Sequence, residues 1–196
     1  LFARNNFAAL GIQRTIVRLL NNWPDDGPEA ALSVHRRVGE FKGDLDDDVD
    51  LYQLDQIQPP VSGMAPPFRV LAYYRLLKKY EPDTVIAVNQ FESLALCLVK
   101  RFYDDFKLVA CEHAHVTSNI TKADAHSGWF GWYYRKRFRQ EYQNHADIVH
   151  IVSHEGAEDL AENHDIPRSK IRVVYNPVDV EEIRQKASEE IDHPWL

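Results

Sequence analysis

The chain has 196 residues, which is enough for one domain with a sizeable hydrophobic core. Apolar residues make up 44% of the chain and charged residues 27%, so the composition excludes a disordered or fibrous protein. The formal net charge of −7 argues against a nucleic-acid-binding protein, which would need a broadly basic surface.

The apolar runs and the two cysteines narrow the class of protein further. The longest apolar runs are far shorter than a membrane span, so we expect no segment to cross a bilayer. Cys97 and Cys111 each lie within an apolar run, which predicts small core residues rather than a disulfide, and therefore a reducing, cytoplasmic location. Because the chain opens on Leu1 without a charged leader, we expect no signal peptide.

The first quarter of the chain predicts strands separated by a helix and a turn. Leu1–Ala3 is typical of the end of a buried strand, and the helical spacing of apolar residues in Gly11–Asn22 predicts the first helix. Ala30–His35 and Val49–Leu54 predict the second and third strands. The acidic run Asp44–Asp50 between them lacks the spacing of a calcium loop, so it predicts a solvated turn.

A proline-rich segment, Gln58–Pro67, separates this part from the rest and predicts a surface connection without regular structure. After it, helices and strands alternate to the end of the chain. Helices are predicted at Phe68–Tyr80, Glu92–Tyr103, Phe130–His145 and Glu155–Asn163, and strands at Thr84–Val88, Leu108–Cys111, Asp147–Val152 and Ile171–Tyr175. This alternation predicts an α/β fold, with a doubly wound, mainly parallel sheet of the Rossmann type and helices on both faces.

Gly11 lies at the predicted turn between the first strand and the first helix. Backbone N–H groups at the positive end of a helix can bind a phosphate there, provided that no side chain intrudes. The same glycine is also consistent with a turn that binds nothing. Because the fingerprint Gly-x-Gly-x-x-Gly does not occur at this turn, a nicotinamide or flavin site is excluded.

The residues that follow the predicted fifth strand are the main candidates for a functional site. A buried apolar strand gives way there to Glu112, His113 and His115, at an edge where parallel sheets bind ligands. On an extended backbone, the two histidines would point to one side of the sheet and Glu112 to the other. Three interpretations stay open: a metal site, solvated or capping histidines, and a hydrogen bond to a sugar hydroxyl or the reacting centre.

The segment Trp129–Arg139 interleaves aromatic and basic residues within an acidic protein. Such a helix suits the headgroup region of an anionic membrane, where rings insert and cations bind phosphates. The alternative is an ordinary amphipathic helix with its rings in the core and its arginines in water. Under the membrane hypothesis, the docking residues are Trp132, Arg135, Arg137 and Arg139.

Five segments form an ordered pattern of short motifs. Gly11–Arg14 begins with a glycine at a strand-to-helix turn, Lys79–Ile86 leads into the fourth strand through Pro-Asp, and Cys111–His113 ends the fifth strand in histidine. Ala146–Leu160 contains Ala-Asp-Ile-Val and then Ala-Glu-Asp-Leu, and Ile166–Asp179 ends in Tyr-Asn-Pro-Val-Asp. In this order, the segments resemble those of the amino-terminal, acceptor-side domain of a family 4 glycosyltransferase with the two-domain GT-B architecture.

The resemblance implies transfer of a sugar from a nucleotide-sugar to a glycan or lipid-linked acceptor, as in polysaccharide biosynthesis. Transfer would retain the anomeric configuration and need no metal or other cofactor, and the enzyme would be cytoplasmic, peripheral on the membrane where the acceptor is lipid-linked. Gly11 and Arg14 would bind the donor, and His113 would hydrogen-bond the transferred sugar near the reacting carbon. The acceptor-binding residues would be Asn89, Gln90, Glu92 and His115.

The resemblance also divides the chain into parts. Residues 1–179 would form the Rossmann-like domain, and residues 180–196 would begin the linker to a carboxyl-terminal donor-binding domain. This chain alone is therefore expected to be inactive. Two alternatives stay open, namely a non-catalytic module that binds a glycan or a protein, and one half of a sugar-nucleotide epimerase.

Overall fold

One sheet of parallel strands organises the chain. The structure is a computed structural model that describes residues 1–7, 11–54, 66–118, 128–178 and 180–189, and only the backbone of residues 66, 67, 128–135 and 182. The strands are β1 (Phe2–Arg4), β2 (Ala31–Val34), β3 (Asp50–Gln53), β4 (Thr84–Ala87), β5 (Lys107–Glu112), β6 (Ile148–Ile151) and β7 (Ile171–Val173). The helices are α1 (Gly11–Asn21), α2 (Pro66–Tyr80), α3 (Gln90–Lys100), α4 (Gly128–His145), α5 (His154–Glu162) and α6 (Val180–Ala187).

The predicted elements are all present, with boundaries that differ by at most three residues. The prediction of an irregular segment is wrong for Pro66 and Pro67, which begin α2, because proline is well tolerated in the first turn of a helix. Residues 55–65 lie outside the described part of the chain. Helix α6 was not predicted, and it occupies residues that the sequence assigned to the start of a linker.

The strand order is β3-β2-β1-β4-β5-β6-β7, and every neighbouring pair is parallel. Strand β1 is central, because Phe2 pairs with Leu32 of β2 on one side and Ile86 of β4 on the other. The strand order reverses between β1 and β4. In open α/β sheets, ligands bind in the crevice outside the carboxyl ends of the strands at this point.

Two hydrophobic clusters cover the two faces of the sheet. The larger cluster packs helices α2 to α5 against strand residues such as Val85 and Leu108, and the smaller packs α1 against Phe2 and Leu32. Alternate residues of a strand point to opposite faces, and each fully buried aliphatic side chain contributes about 1.5–3 kcal/mol to stability. The prediction of a doubly wound sheet with helices on both faces is therefore confirmed.

Both cysteines are buried and neither forms a disulfide, as predicted. Burial raises the pKa of Cys97 far above its ordinary value and that of Cys111 to about 12, so both stay thiols at neutral pH. None of the helices in the described ranges is long and apolar enough to cross a membrane.

Candidate functional site

A cleft of about 230 Å³ opens at the carboxyl ends of β1, β4 and β5. Strand ends and the first turns of α1 and α3 line it with Arg4, Ile12, Asn89, Gln90, Phe91, Glu112, His113 and Ala114. It lies where the strand order reverses, which is the expected place for a ligand. The structure therefore brings Asn89, Gln90 and His113 together at one rim, although their roles in binding stay predictions.

Asn89 is the amino-terminal cap of α3. Its side-chain oxygen accepts hydrogen bonds from the backbone N–H groups of Phe91 at 2.8 Å and Glu92 at 3.1 Å. The cap satisfies two of the N–H groups that a helix terminus leaves without partners. The side-chain amide nitrogen is therefore the part of Asn89 that a ligand in the cleft can still use.

Glu92 was predicted to face the acceptor, but the structure buries it completely. Its carboxylate accepts a hydrogen bond from Arg69 at 3.0 Å. The reason is that α3 is buried on nearly every side, so its third residue points into the protein rather than into the cleft. Burial raises the pKa of Glu92, although Arg69 and Arg4 oppose the shift. Glu92 therefore has no exposed surface at the cleft, and its predicted contact with the acceptor is wrong.

Arg4 is a buried cation in the cleft lining, and it belongs to none of the motifs from which the site was predicted. It is 7% exposed, and its Nη1 donates a hydrogen bond to the carbonyl of Val88 at 3.1 Å. Its Nε has no hydrogen-bond partner among the described residues. Burial lowers the pKa of Arg4, and Glu92 and Tyr73 oppose the shift. The available signal was an arginine directly after a buried strand, since charged residues are rarely buried without a partner.

Glu112 and His113 follow one another in the lining but have different surroundings. Glu112 accepts a hydrogen bond from the Tyr142 hydroxyl at 2.6 Å, and burial raises its pKa to about 7. The His113 ring packs edge-to-face against His150, with 6.0 Å between centroids, and neither ring nitrogen has a hydrogen-bond partner among the described residues. Burial, His150 and Arg4 lower the pKa of His113 to about 4. At neutral pH, His113 therefore offers one donor and one acceptor to a ligand.

His115 does not line this cleft. Its Nδ1 lies 3.3 Å from the carboxylate of Asp159, which is buried and also accepts hydrogen bonds from Thr117. The two histidines have different surroundings because β5 ends before His113, whereas the expectation of a shared side required an extended backbone. Within the described ranges, no group of three or more His, Cys, Asp or Glu side chains is placed to hold a metal ion.

The two predicted donor-binding residues of α1 differ in position. Gly11 begins the helix beside Ile12, which lines the cleft, and a Cβ at Gly11 would meet no described atom within 4 Å. Arg14 is exposed and lines a separate cleft with residues that include Phe41 and Asp44. Two residues correspond to about 200° around a helix, so Arg14 points away from the side on which Ile12 lies.

The predicted membrane-docking residues all belong to α4. The side chains of Trp132 and Arg135 lie outside the described part of the structure. Arg137 and Arg139 are exposed, and Arg139 forms an ion pair with Asp165. Phe138 between them is buried, so this end of α4 has the amphipathic pattern of the alternative interpretation.

A comparison with protein families gives one match over most of the chain. The family profile described as Glycosyltransferase Family 4 matches residues 9–182. No curated protein sequence matches the chain.

Several solved structures share the fold. HepE from Anabaena, in complex with UDP and glucose, is 14% identical with a TM-score of 0.63, over 95% of this chain and 49% of that chain. The lipopolysaccharide outer core galactosyltransferase WaaB in its apo form is 16% identical with a TM-score of 0.61, over 91% and 46%. UDP-GlcNAc 2-epimerase from Neisseria meningitidis, bound to UDP-GlcNAc, is 15% identical with a TM-score of 0.59, over 89% and 46%.

At these identities the likeness shows the fold alone. The chain spans about half the length of the structures that it matches. Its fold is therefore the Rossmann-like half of a GT-B architecture, as the resemblance implied.

Proposed function

Because the chain belongs to glycosyltransferase family 4, we propose that it is the acceptor-side half of a retaining enzyme that transfers a hexose to a glycan or lipid-linked acceptor. The observation that carries this proposal is a cleft at the strand reversal in which neither ring nitrogen of His113, beside Asn89 and Gln90, has a hydrogen-bond partner among the described residues. The donor is proposed to be a nucleotide-sugar. HepE solved with UDP and the epimerase bound to UDP-GlcNAc support this choice through their shared fold.

The proposed chemistry needs charge stabilisation rather than a nucleophile. Retaining transfer passes through an oxocarbenium-like sugar and releases a nucleoside diphosphate, so it depends on donors fixed where charge develops. The neutral ring of His113 is suited to hydrogen-bond a sugar hydroxyl, and the first turns of α1 and α3 direct positive helix ends towards the cleft. No metal or cofactor is part of the proposal.

His113→Ala in the complete protein is expected to lower kcat with the natural acceptor by at least tenfold. A hydrogen bond that forms with the transferred sugar in the transition state contributes about 1.4 kcal/mol, which corresponds to that factor. The measurement is release of nucleoside diphosphate from the nucleotide-sugar. His115→Ala is the matched control, because it removes the same side chain two residues away and outside the cleft lining. Near-normal turnover of the His113 variant would remove this residue from the reacting centre.

The same assay separates the two alternatives. The Neisseria epimerase has a similar fold, whereas the family match favours transfer. An epimerase half would yield an isomerised nucleotide-sugar without an acceptor, and a binding module would yield no product. This chain alone is proposed to be inactive, since it spans about half of HepE and of WaaB.

We also propose that α4 docks on the cytoplasmic face of an anionic membrane, where a lipid-linked acceptor would be found. The support is the exposed charge of Arg137 and Arg139 in a helix that also contains Trp132 and Arg135. Replacing both exposed arginines with glutamate is expected to weaken binding to vesicles with anionic lipid by at least about 30-fold. Each lost cation near the surface contributes about 1 kcal/mol, and the added carboxylates are repelled by the lipid. Arg168→Glu, which lies outside α4, is the control. Unchanged vesicle binding would exclude docking through α4.

A further inference from the structure

The cleft contains a buried positive charge, Arg4, that the described protein balances only in part. Arg4 is more than nine-tenths buried at the carboxyl end of the central strand, in the lining with Asn89 and His113. A guanidinium has five N–H donors, and the carbonyl of Val88 is its hydrogen-bond acceptor among the described residues. Its Nε, in particular, has no partner there.

Glu92 is the carboxylate near Arg4, and it does not by itself neutralise the charge of the guanidinium. Glu92 interacts electrostatically with Arg4, but its Oε1 accepts a hydrogen bond from Arg69 at 3.0 Å and its Oε2 has no hydrogen-bond partner among the described residues. Arg4 and Arg69 therefore share Glu92. The other carboxyl group of the lining, Glu112, is hydrogen-bonded to Tyr142, and its pKa is raised to about 7, so it is only partly ionised at neutral pH. Burying a charge without a full counter-charge is strongly unfavourable, so an anionic ligand that supplied the missing charge would be stabilised beside Arg4.

A water molecule could accept the hydrogen bond that the Nε of Arg4 lacks, but it could not neutralise the positive charge. Arg4 also lines a second, small cavity of about 10 Å³ together with Gln13, whose side-chain oxygen lacks a partner in the described structure. That volume suits about one water molecule, which would satisfy both groups. A water molecule is neutral, however, and the excess positive charge beside the larger cleft would remain.

The helix ends strengthen the positive field at the same place. Ile12 and Gln90, in the first turns of α1 and α3, line the cleft with Arg4. Each helix has 11 residues, and the amino-terminal end of a helix attracts anions. A buried arginine next to two such ends has the chemistry of a phosphate or carboxylate site.

Building on the proposed function, we infer that Arg4 binds an anionic group, a phosphate or a carboxylate, that belongs to the donor or the acceptor. The glycosyltransferase resemblance assigned no role to this residue. Arg4 is thereby a substrate-binding residue of the cleft, and it selects for a charged substrate group over a neutral one.

The first experiment does not depend on catalysis. The complete protein is labelled with ¹⁵N-arginine, and inorganic pyrophosphate is titrated at constant ionic strength while the Nε–H signal of Arg4 is followed by NMR. We expect a saturable shift of this signal and none for Arg168, an exposed arginine. Arg4→Lys assigns the signal, and Arg4→Gln should weaken pyrophosphate binding at least tenfold. Because the wild-type titration needs no variant, absence of a saturable shift overturns the inference even if Arg4→Gln does not fold.

The second experiment identifies the source of the anion. In Arg4→Lys, a rise of at least tenfold in the KM for the nucleotide-sugar alone assigns the group to the donor diphosphate, and the same rise for the acceptor alone assigns it to the acceptor. Unchanged KM values for both substrates overturn the inference. Pyrophosphate binding without any sugar transfer would refute the proposed function and leave the anion site standing. Transfer that depends on His113, without pyrophosphate binding, would refute the anion site alone.

Discussion

Replacing Glu92 with alanine is expected to lower the free energy of unfolding by about 3–5 kcal/mol. The substitution leaves Arg69 and Arg4 without their shared carboxylate, and breaking a buried ion pair from one side leaves an uncompensated charge. Burial raises the pKa of Glu92 by more than the two arginines lower it, so the ion pair with Arg69 adds little net stability through Glu92 itself. Its removal is costly because of the cations that remain.

A second ion pair in the same protein provides the control. Arg168 and Glu162 are also 3.0 Å apart, but their side chains are 65% and 69% exposed, against 15% and 1% for Arg69 and Glu92. Glu162→Ala is expected to cost less than about 1 kcal/mol, because exposed pairs contribute little. Urea unfolding of both variants, with unchanged slope, measures the difference. Similar unfolding midpoints for the two variants would mean that Glu92 does not stabilise the buried charges of Arg69 and Arg4.

The Glu112→Gln variant is expected to gain stability over the wild type as the pH rises. The pKa of Glu112 is raised from 4.5 to about 7 in the folded state, so the folded protein binds this proton more tightly than the unfolded chain. The contribution of Glu112 is therefore complete below pH 4.5 and lost as the pH rises through 7. With 1.36 kcal/mol for each tenfold change in proton affinity, the loss is on the order of 3 kcal/mol.

A comparison of variants isolates this effect from the titration of His113. The pKa of His113 is lowered to about 4, so its contribution changes with pH in the opposite direction over part of the same range. Glutamine keeps the shape of the protonated acid and a carbonyl for the Tyr142 hydroxyl, so the two proteins should be similar at pH 4 and differ at pH 8. Tyr142→Phe removes a bond that lowers the pKa and should enlarge the pH dependence. A stability difference that does not vary with pH would contradict the assignment.

The fold could be predicted from the sequence because each strand and helix has a local pattern of apolar residues that is typical of its type. The run Leu108–Cys111 is apolar throughout, as expected of a strand inside a sheet, and Gly11–Asn22 has the spacing of an amphipathic helix. Both elements appear in the structure. The polar residues that follow β4 and β5 meet at one rim, since the carboxyl ends of parallel strands lie at the same edge. The site thus follows from the topology.

The side chains of the site could not be assigned in this way, because their directions depend on packing. In the sequence, Glu92 is a polar residue shortly after a strand, which predicts a place in the cleft, but the elements packed around α3 bury it. His115 lies beside Asp159 because β5 ends at Glu112, so the strand does not continue through His113 to His115. Arg4 becomes a cleft residue only through its proximity to the ends of β4 and β5, which begin about 80 and about 100 residues later in the chain.

The central place of β1 has a consequence for biosynthesis. Strand β1 is synthesised before β2, with which it pairs along one edge. Its other edge pairs with β4, so that edge stays unpaired until Thr84–Ala87 has been synthesised. Until then, the growing chain exposes the unpaired backbone of a buried strand, which is the kind of surface that nascent-chain chaperones protect. The lining of the cleft runs from Arg4 to Ala114, so the cleft can form only after more than half of the chain has been synthesised.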